Sequence, residues 1–276
     1  MNKRYFYINN QYVESVKASI PFNDAGFLYG DGLFETMRFD NKNIFSIDNH
    51  INRLFLGLKQ IKLDVDKTRF EVEKLLYDLI NKNNLDSGII RIMITRGTVE
   101  PSDQLYGTPS IYISIKPFYS IPNSPVRVAY FDEKKYPIIR FNPAIKSMNY
   151  IGNMLAKQDA NKANIFEPVF YNQNKIITEC AIRNIFYIKD DVIYTPDVTL
   201  GILSGVMRKN IIDLCKSMKL IVKETSINYC DINLMDESFI SSTGIGILPC
   251  FWDGWSSQFH LTSKIKKELF NRIENY

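Results

Sequence analysis

Three prolines and two serines fall within nine residues, PFYSIPNSP at 117–125. Proline fixes φ and has no N–H to donate, so neither a helix interior nor a central strand can run through such a stretch. The chain is therefore expected to fold as two units, 1–118 and 126–276, joined by a linker at 119–125. Its 276 residues suffice for two domains of ordinary size.

The two halves carry different patterns. Before the linker, residues 5–8 and 12–13 alternate around Asn9-Asn10, a hairpin signature. PFNDAGFLYGDGLFETMRF reads as an apolar and aromatic strand interrupted by Gly26, Gly30 and Gly32. Residues 48–62 switch to a helical period through Ile51, Leu54, Phe55, Leu58 and Ile61, with Asp48 as N-cap. Residues 67–82 repeat that period, and IIRIMIT (89–95) and SIYISIK (110–116) read as strands, so this half is an α+β unit. After the linker, strands are expected at 126–131, 167–171, 184–188, 192–195, 220–224 and 237–241. Helices are expected near 149–163, 204–218 and 262–275. Many short strands with few βαβ alternations imply a largely antiparallel or barrel-like second domain.

Composition removes several classes of function. Lys and Arg number 34 against 30 Asp and Glu, a net +4 too small and too dispersed to imply nucleic acid. The densest basic cluster, Lys264, Lys266 and Lys267 beside Glu268, reads as a solvated helix face. No apolar run approaches the roughly 20 residues needed to span a bilayer. The start MNKRYFYINNQYV is charged and lacks a following apolar stretch, so no signal peptide is expected. Cys180, Cys215, Cys230 and Cys250 are widely spaced without CxxC, which points to free thiols in a reducing cytoplasm. With only His50 and His260, a His-rich metal site is excluded and a Ser-His-Asp arrangement has few ways to assemble. Chemistry is left to lysine, carboxylates, tyrosine or a cofactor.

Five features could carry it. Arg91 sits inside IIRIMIT and by two-residue parity shares a face with Ile89 and Met93, so it is exposed, paired or lining a pocket. Lys146 lies just before an amphipathic helix in an apolar neighbourhood, where desolvation would make its amine nucleophilic; the plain alternative is a surface lysine. Glu179 is flanked by apolar residues in IITECAIRNIFYI. It must pair, either with Arg183 if the segment is helical or with a proton or cation of a bound heterocycle. GILSGVMRKNII at 201–212 runs from a glycine turn into a helix with Ser204 as N-cap, a ready anion site that is not a Walker loop. SST at 241–243 offers a second anion contact. A reactive lysine, an enclosed carboxylate and two phosphate-grade turns suggest a phosphorylated pyridine aldehyde as cofactor.

From NDAGFLYGDGLFETMRF through HINRL, IRIMITRG, KSMNYIGNMLAKQDA, ITECAIRNIF and YTPDVTLGILSGVMR to ISSTGIGILP, the sequence resembles the fold-type IV pyridoxal-phosphate enzymes. These are branched-chain and D-amino-acid aminotransferases and aminodeoxychorismate lyase. The resemblance implies an α+β protein with a small N-terminal α/β domain, a larger pseudo-barrel domain, pyridoxal 5′-phosphate as cofactor and a homodimer. By that resemblance Lys146 is the Schiff-base lysine and Glu179 the carboxylate facing the pyridine nitrogen. Arg53, the backbone of Ile202 and Leu203, and Thr243 are phosphate contacts. Tyr150 is a tyrosine near the cofactor's phenolic oxygen, and Arg91 matches an arginine of the branched-chain enzymes and is the candidate for binding a substrate carboxylate. Arg208 matches a recurrent position. The D-amino-acid enzymes carry an Arg-x-His carboxylate trap after the TRG turn, where this chain has Pro101 and Asp103. The expected reaction moves an amino group between an amino acid and a 2-keto acid through a lysine aldimine. The alternative is pyruvate release from aminodeoxychorismate to form 4-aminobenzoate.

Overall fold

The computed structural model describes residues 3–99 and 108–274. It divides into two compact units, Met1–Tyr119 with Ile145–Asn149, and Ser120–Ala144 with Tyr150–Tyr276.

The first unit holds β1 (Tyr5–Ile8), β2 (Gln11–Glu14), α1 (Ala25–Tyr29), β3 (Gly32–Asp40), β4 (Asn43–Ile44), α2 (Ile47–Gln60), α3 (Arg69–Asn83), β5 (Gly88–Thr95) and β6 (Ser110–Pro117). Its six strands form one antiparallel sheet in the order β2-β1-β6-β5-β3-β4. Period-two alternation sorts the two faces. Leu33, Met37, Ile90, Ile92, Ile94, Ile111, Ile113 and Ile115 meet the apolar stripes of α2 and α3 in one core. The opposite face carries the cross-strand rows Phe34–Met93–Tyr112, Thr36–Arg91–Ser114 and Arg38–Ile89–Lys116.

Two local readings of the sequence change here. The glycine-interrupted strand at 21–39 begins instead with the short helix α1. Asp24 accepts the Gly26 N–H at 2.8 Å to start it, and Gly30 ends it at φ 67°, where a Cβ is disfavoured. The N-cap of α2 is Ser46 rather than Asp48, which sits in the first turn and there favours the helix dipole. Thr68 caps α3 through a reciprocal box with Glu71.

The second unit holds β7 (Val126–Asp132), α4 (Ile151–Lys162), β8 (Glu167–Tyr171), β9 (Ile177–Cys180), β10 (Asn184–Lys189), β11 (Val192–Pro196), α5 (Val206–Ser217), β12 (Val222–Thr225), β13 (Glu237–Ser242), β14 (Gly246–Phe251) and α6 (His260–Glu274). Eight strands form a curled sheet in the order β12-β11-β10-β13-β14-β7-β8-β9. The sheet is mixed rather than largely antiparallel, since β11/β12, β14/β7 and β7/β8 run parallel. The strand β14 escapes a sequence reading because Pro249, which cannot donate to a ladder, sits inside it opposite Phe239. Helices α5 and α6 pack on β13, and α6 also packs on β14.

Candidate active site

In the first unit the site is built on the start of β3. Residues 145–149 lie against it as a strap: Phe34 donates its N–H to the Lys146 carbonyl at 3.0 Å, and Met148 donates to the Gly32 carbonyl at 3.0 Å. Asn149 ties the strap's end to the Gly30 carbonyl at 3.1 Å. The strap thereby fixes Lys146, whose Nζ stands 4.5 Å from the centre of the Phe34 ring. The Arg91 guanidinium lies 4.6 Å from the same ring, and its Nε donates to Thr36 Oγ1 at 3.1 Å. Arg91 is exposed on the strand face that parity assigned to it, with Met93 beside it. The lysine and the arginine thus share one aromatic ring, and Phe34 is a member of the site that the sequence reading did not single out.

Arg53 projects from α2 toward Glu35 on β3. Its Nε and Nη2 donate to the two carboxylate oxygens at 2.6 and 2.7 Å, and His50 Nδ1 lies 2.8 Å from the same carboxylate. Glu35 and His50 are sealed from solvent at 1% and 0% exposure. Burial pushes the Glu35 carboxyl up, but the charge of Arg53 and the His50 hydrogen bond outweigh it and hold the group at about 2. Burial also pushes His50 down, so a neutral ring donates its Nδ1–H to the carboxylate.

In the second unit Glu179 sits on β9 and pairs with Arg140, which also pairs with Glu133. Arg183 is not its partner, because the segment is a strand and Arg183 pairs with the buried Glu167. Thr178 joins the same cluster, donating to Glu133 Oε1 at 2.6 Å and accepting from Arg140 at 3.0 Å. The second Glu179 oxygen accepts the Leu203 N–H at 3.2 Å.

That last bond shifts the expected anion contacts. Helix α5 starts at Val206 behind an N-cap at Gly205 rather than Ser204, so Ile202 and Leu203 precede its first turn. The physical reason is a close approach: a Cβ on Gly205 would lie 2.0 Å from Asn184 Oδ1, and Asn184 in turn donates to the Leu203 carbonyl at 3.0 Å. Ile202 is buried, and the Leu203 N–H is committed to Glu179. The amides that open the helix are those of Val206 and Met207.

Across from Asn184 on β13 stands Ser241, buried, with no hydrogen-bond partner for its hydroxyl among the described residues. Thr243 lies half-buried in the turn between β13 and β14. Tyr150 is the half-buried N-cap of α4, its carbonyl accepting from Met154 at 2.9 Å. Arg208 is buried and holds the Pro196 carbonyl and Glu224, both at 2.8 Å, which is a structural duty. Pro101 and Asp103 lie outside the described residues.

Glu35 and Arg140 were missed in the sequence. The signal for Glu35 was present: it is the one charge among the inward positions Leu33, Glu35, Met37 and Phe39 of β3. Arg140 gave none, since its partners come from distant segments. Among the described residues no group of His, Cys, Asp and Glu could hold a metal, and no helix is long and apolar enough to cross a membrane.

Residues 32–250 match the family model described as amino-transferase class IV. The chain is 32% identical over 275 residues to a Methanocaldococcus jannaschii protein assigned as a branched-chain-amino-acid aminotransferase, covering 98% of this chain and 95% of that one. It is 31% identical over 274 residues to a D-alanine aminotransferase of Staphylococcus epidermidis, covering 98% and 96%. The crystal structure of an Escherichia coli branched-chain amino acid aminotransferase superposes with a TM-score of 0.89 at 25% identity, covering 98% and 94%.

Proposed function

Because the chain belongs to the class IV amino-transferase family, we propose that it moves an amino group between an amino acid and a 2-keto acid with pyridoxal 5′-phosphate held on Lys146. The observation that carries this reading is the strap at 145–149, which sets the Lys146 amine beside the Phe34 ring that the Arg91 guanidinium of β5 also approaches.

The donor set fits such a cofactor. Lys146 is a primary amine for its aldehyde, and Glu179 is a carboxylate for its ring nitrogen. Arg53, the α5 start, Thr243 and the unmatched Ser241 hydroxyl suit its phosphate. The amides of Val206 and Met207 take the role first given to Ile202 and Leu203. Tyr150 is assigned beside the phenolic oxygen. When bound, the cofactor supplies an electron-poor ring that accepts the electrons released at the substrate Cα. Glu179 would keep a proton on the ring nitrogen, and the Lys146 amine would serve as the base that carries the substrate Cα proton. Arg91 can grip a substrate carboxylate in a fork, a geometry that lysine would not reproduce.

A homodimer fits the exposed apolar side chains Phe22, Phe27 and Tyr29 in the first unit and Ile151 and Met154 in the second. A cytoplasmic setting fits four unpaired cysteines.

Borohydride reduction of the cofactor-loaded protein followed by peptide mapping should place the pyridoxyl group on Lys146. A label on another lysine would sink the assignment. In the same preparation, an amino donor without acceptor should shift the visible band to shorter wavelength. Pyruvate release from aminodeoxychorismate with no such shift from any amino acid would establish the lyase reaction instead.

A further inference from the structure

We infer that Glu133 is a positioning residue for the ring-nitrogen site: it shares Arg140 with Glu179 and so preserves the negative charge that lets Glu179 hold a basic nitrogen. The inference rests on the reading that Glu179 faces the ring nitrogen of the cofactor.

Paired with Arg140 alone, Glu179 would be a poor holder of a protonated nitrogen. Its Oε1 already meets the guanidinium, and one arginine on one carboxylate sums to zero. Glu133 changes that balance. It takes Arg140 Nη2 while Glu179 takes Nη1, so two carboxylates draw on one cation through different nitrogens. Counted as formal charges, the three groups sum to −1. Burial pushes the Arg140 guanidinium down, but the charges of Glu179 and Glu133 outweigh it and keep the arginine a cation. Thr178 is buried and locks the arrangement, donating to Glu133 Oε1 at 2.6 Å and accepting from Arg140 Nη2 at 3.0 Å. Glu133 is placed by the turn after β7, where Asp132 accepts the Lys134 N–H at 3.0 Å. Lys134 and Lys135 on that turn are exposed, so solvent and salt screen their charges. The side chains of Arg140, Glu133 and Glu179 are only 14–21% exposed, so their mutual interaction is screened far less. Stability alone would not select the second carboxylate. One carboxylate already balances the arginine, and taking a further charge out of water costs desolvation. What Glu133 adds is a more negative potential at Glu179, and that difference holds whichever other groups surround Glu179.

The test compares two probes, pyridoxal 5′-phosphate and its deaza analogue, in which a C–H replaces the ring nitrogen. Both are titrated into the apoprotein by absorbance, and the change in their affinity ratio between variants isolates the nitrogen. Glu133→Gln keeps the length and removes the charge. It should lower the preference for the pyridine ring about tenfold, the size expected of one partly screened charge, while the deaza analogue binds as in the parent. Glu133→Asp retains the charge and should keep most of the preference. Arg140→Gln moves the charge balance the other way, should raise the preference, and serves if Glu133→Gln does not fold. Glu179→Gln is the control. If it lowers the preference and Glu133→Gln does not, the role of Glu133 is overturned while Glu179 keeps its assignment. If Glu179→Gln leaves the preference unchanged, the ring nitrogen is held elsewhere and both statements fall. An equal loss for the two probes in Glu133→Gln, or a preference lowered as far by Glu133→Asp, would mean a merely structural residue. A preference lowered by Arg140→Gln would overturn the charge argument outright.

Discussion

Each unit builds a cluster around one arginine, and the two clusters have opposite charge balance. In the first unit Arg53 faces a single carboxylate, Glu35, with a neutral histidine behind it. In the second, Arg140 faces two carboxylates, Glu133 and Glu179. Counted as formal charges at neutral pH, the first cluster sums to zero and the second to −1. The second is therefore the more negative surrounding and the better suited to hold a cation, although both are built from the same residue types.

The largest expected effect tests the acceptor side. Glu179→Gln keeps the shape and removes the charge that, in the function proposed above, would hold a proton on the cofactor's ring nitrogen. Turnover should fall about a thousandfold, within the range of proton-handling groups, while the loaded cofactor is retained. Near-normal turnover would erase the contrast between the clusters.

The next effect belongs to the donor side and appears in acid. The Glu35 carboxyl is lowered from 4.5 to about 2, so the unfolded chain binds its proton first as pH falls. Its contribution to stability is full above about pH 4.5 and is lost as pH drops through the folded value near 2. At about 1.4 kcal/mol per unit, the swing is about 3 kcal/mol. Urea melts of the parent and Glu35→Gln between pH 6 and pH 3 should show the gap between them narrowing as pH falls. A gap that widens in acid would mean that the carboxylate is protonated in the folded protein.

A smaller effect is expected from Arg140→Met. Removing the cation leaves Glu133 and Glu179 facing one another, which should destabilise the fold by about 2 kcal/mol at pH 7. Urea midpoints read the loss, and a midpoint equal to the parent's would mean that the two carboxylates do not need the cation.

Much of this was legible in the residue pattern, for reasons that are local. The strands of the first sheet announce themselves by alternation, and α2 and α3 by their apolar stripes. Lys146, Glu179 and Arg53 stand out as charged groups in apolar or motif-like runs. What stayed hidden is long-range. Glu35 meets Arg53 across 18 positions and Arg140 meets Glu179 across 39, and no local period encodes such pairs. The start of α5 was misplaced because the sequence offers Ser204 as an attractive cap. The decisive fact is the approach of Asn184 to Gly205, two segments apart. Helix α1 was lost because Gly26, Gly30 and Gly32 in and after it read as breaks, whereas Asp24 turns the chain first.

The strap has a consequence for inheritance. Five residues, 145–149, belong to the first unit, although the chain on either side of them, Ser120–Ala144 and Tyr150–Tyr276, belongs to the second. A single crossover in the proline-rich stretch would exchange the sheet of the first unit with a homologue's and leave its lysine behind. The hybrid would join a foreign β3 to a native strap, whose Lys146 carbonyl and Gly32 contact have to match strand geometry they did not diverge with. Exchange of intact halves would need two further breakpoints inside a dozen residues. The two units are therefore tied to a common descent more tightly than the linker between them suggests.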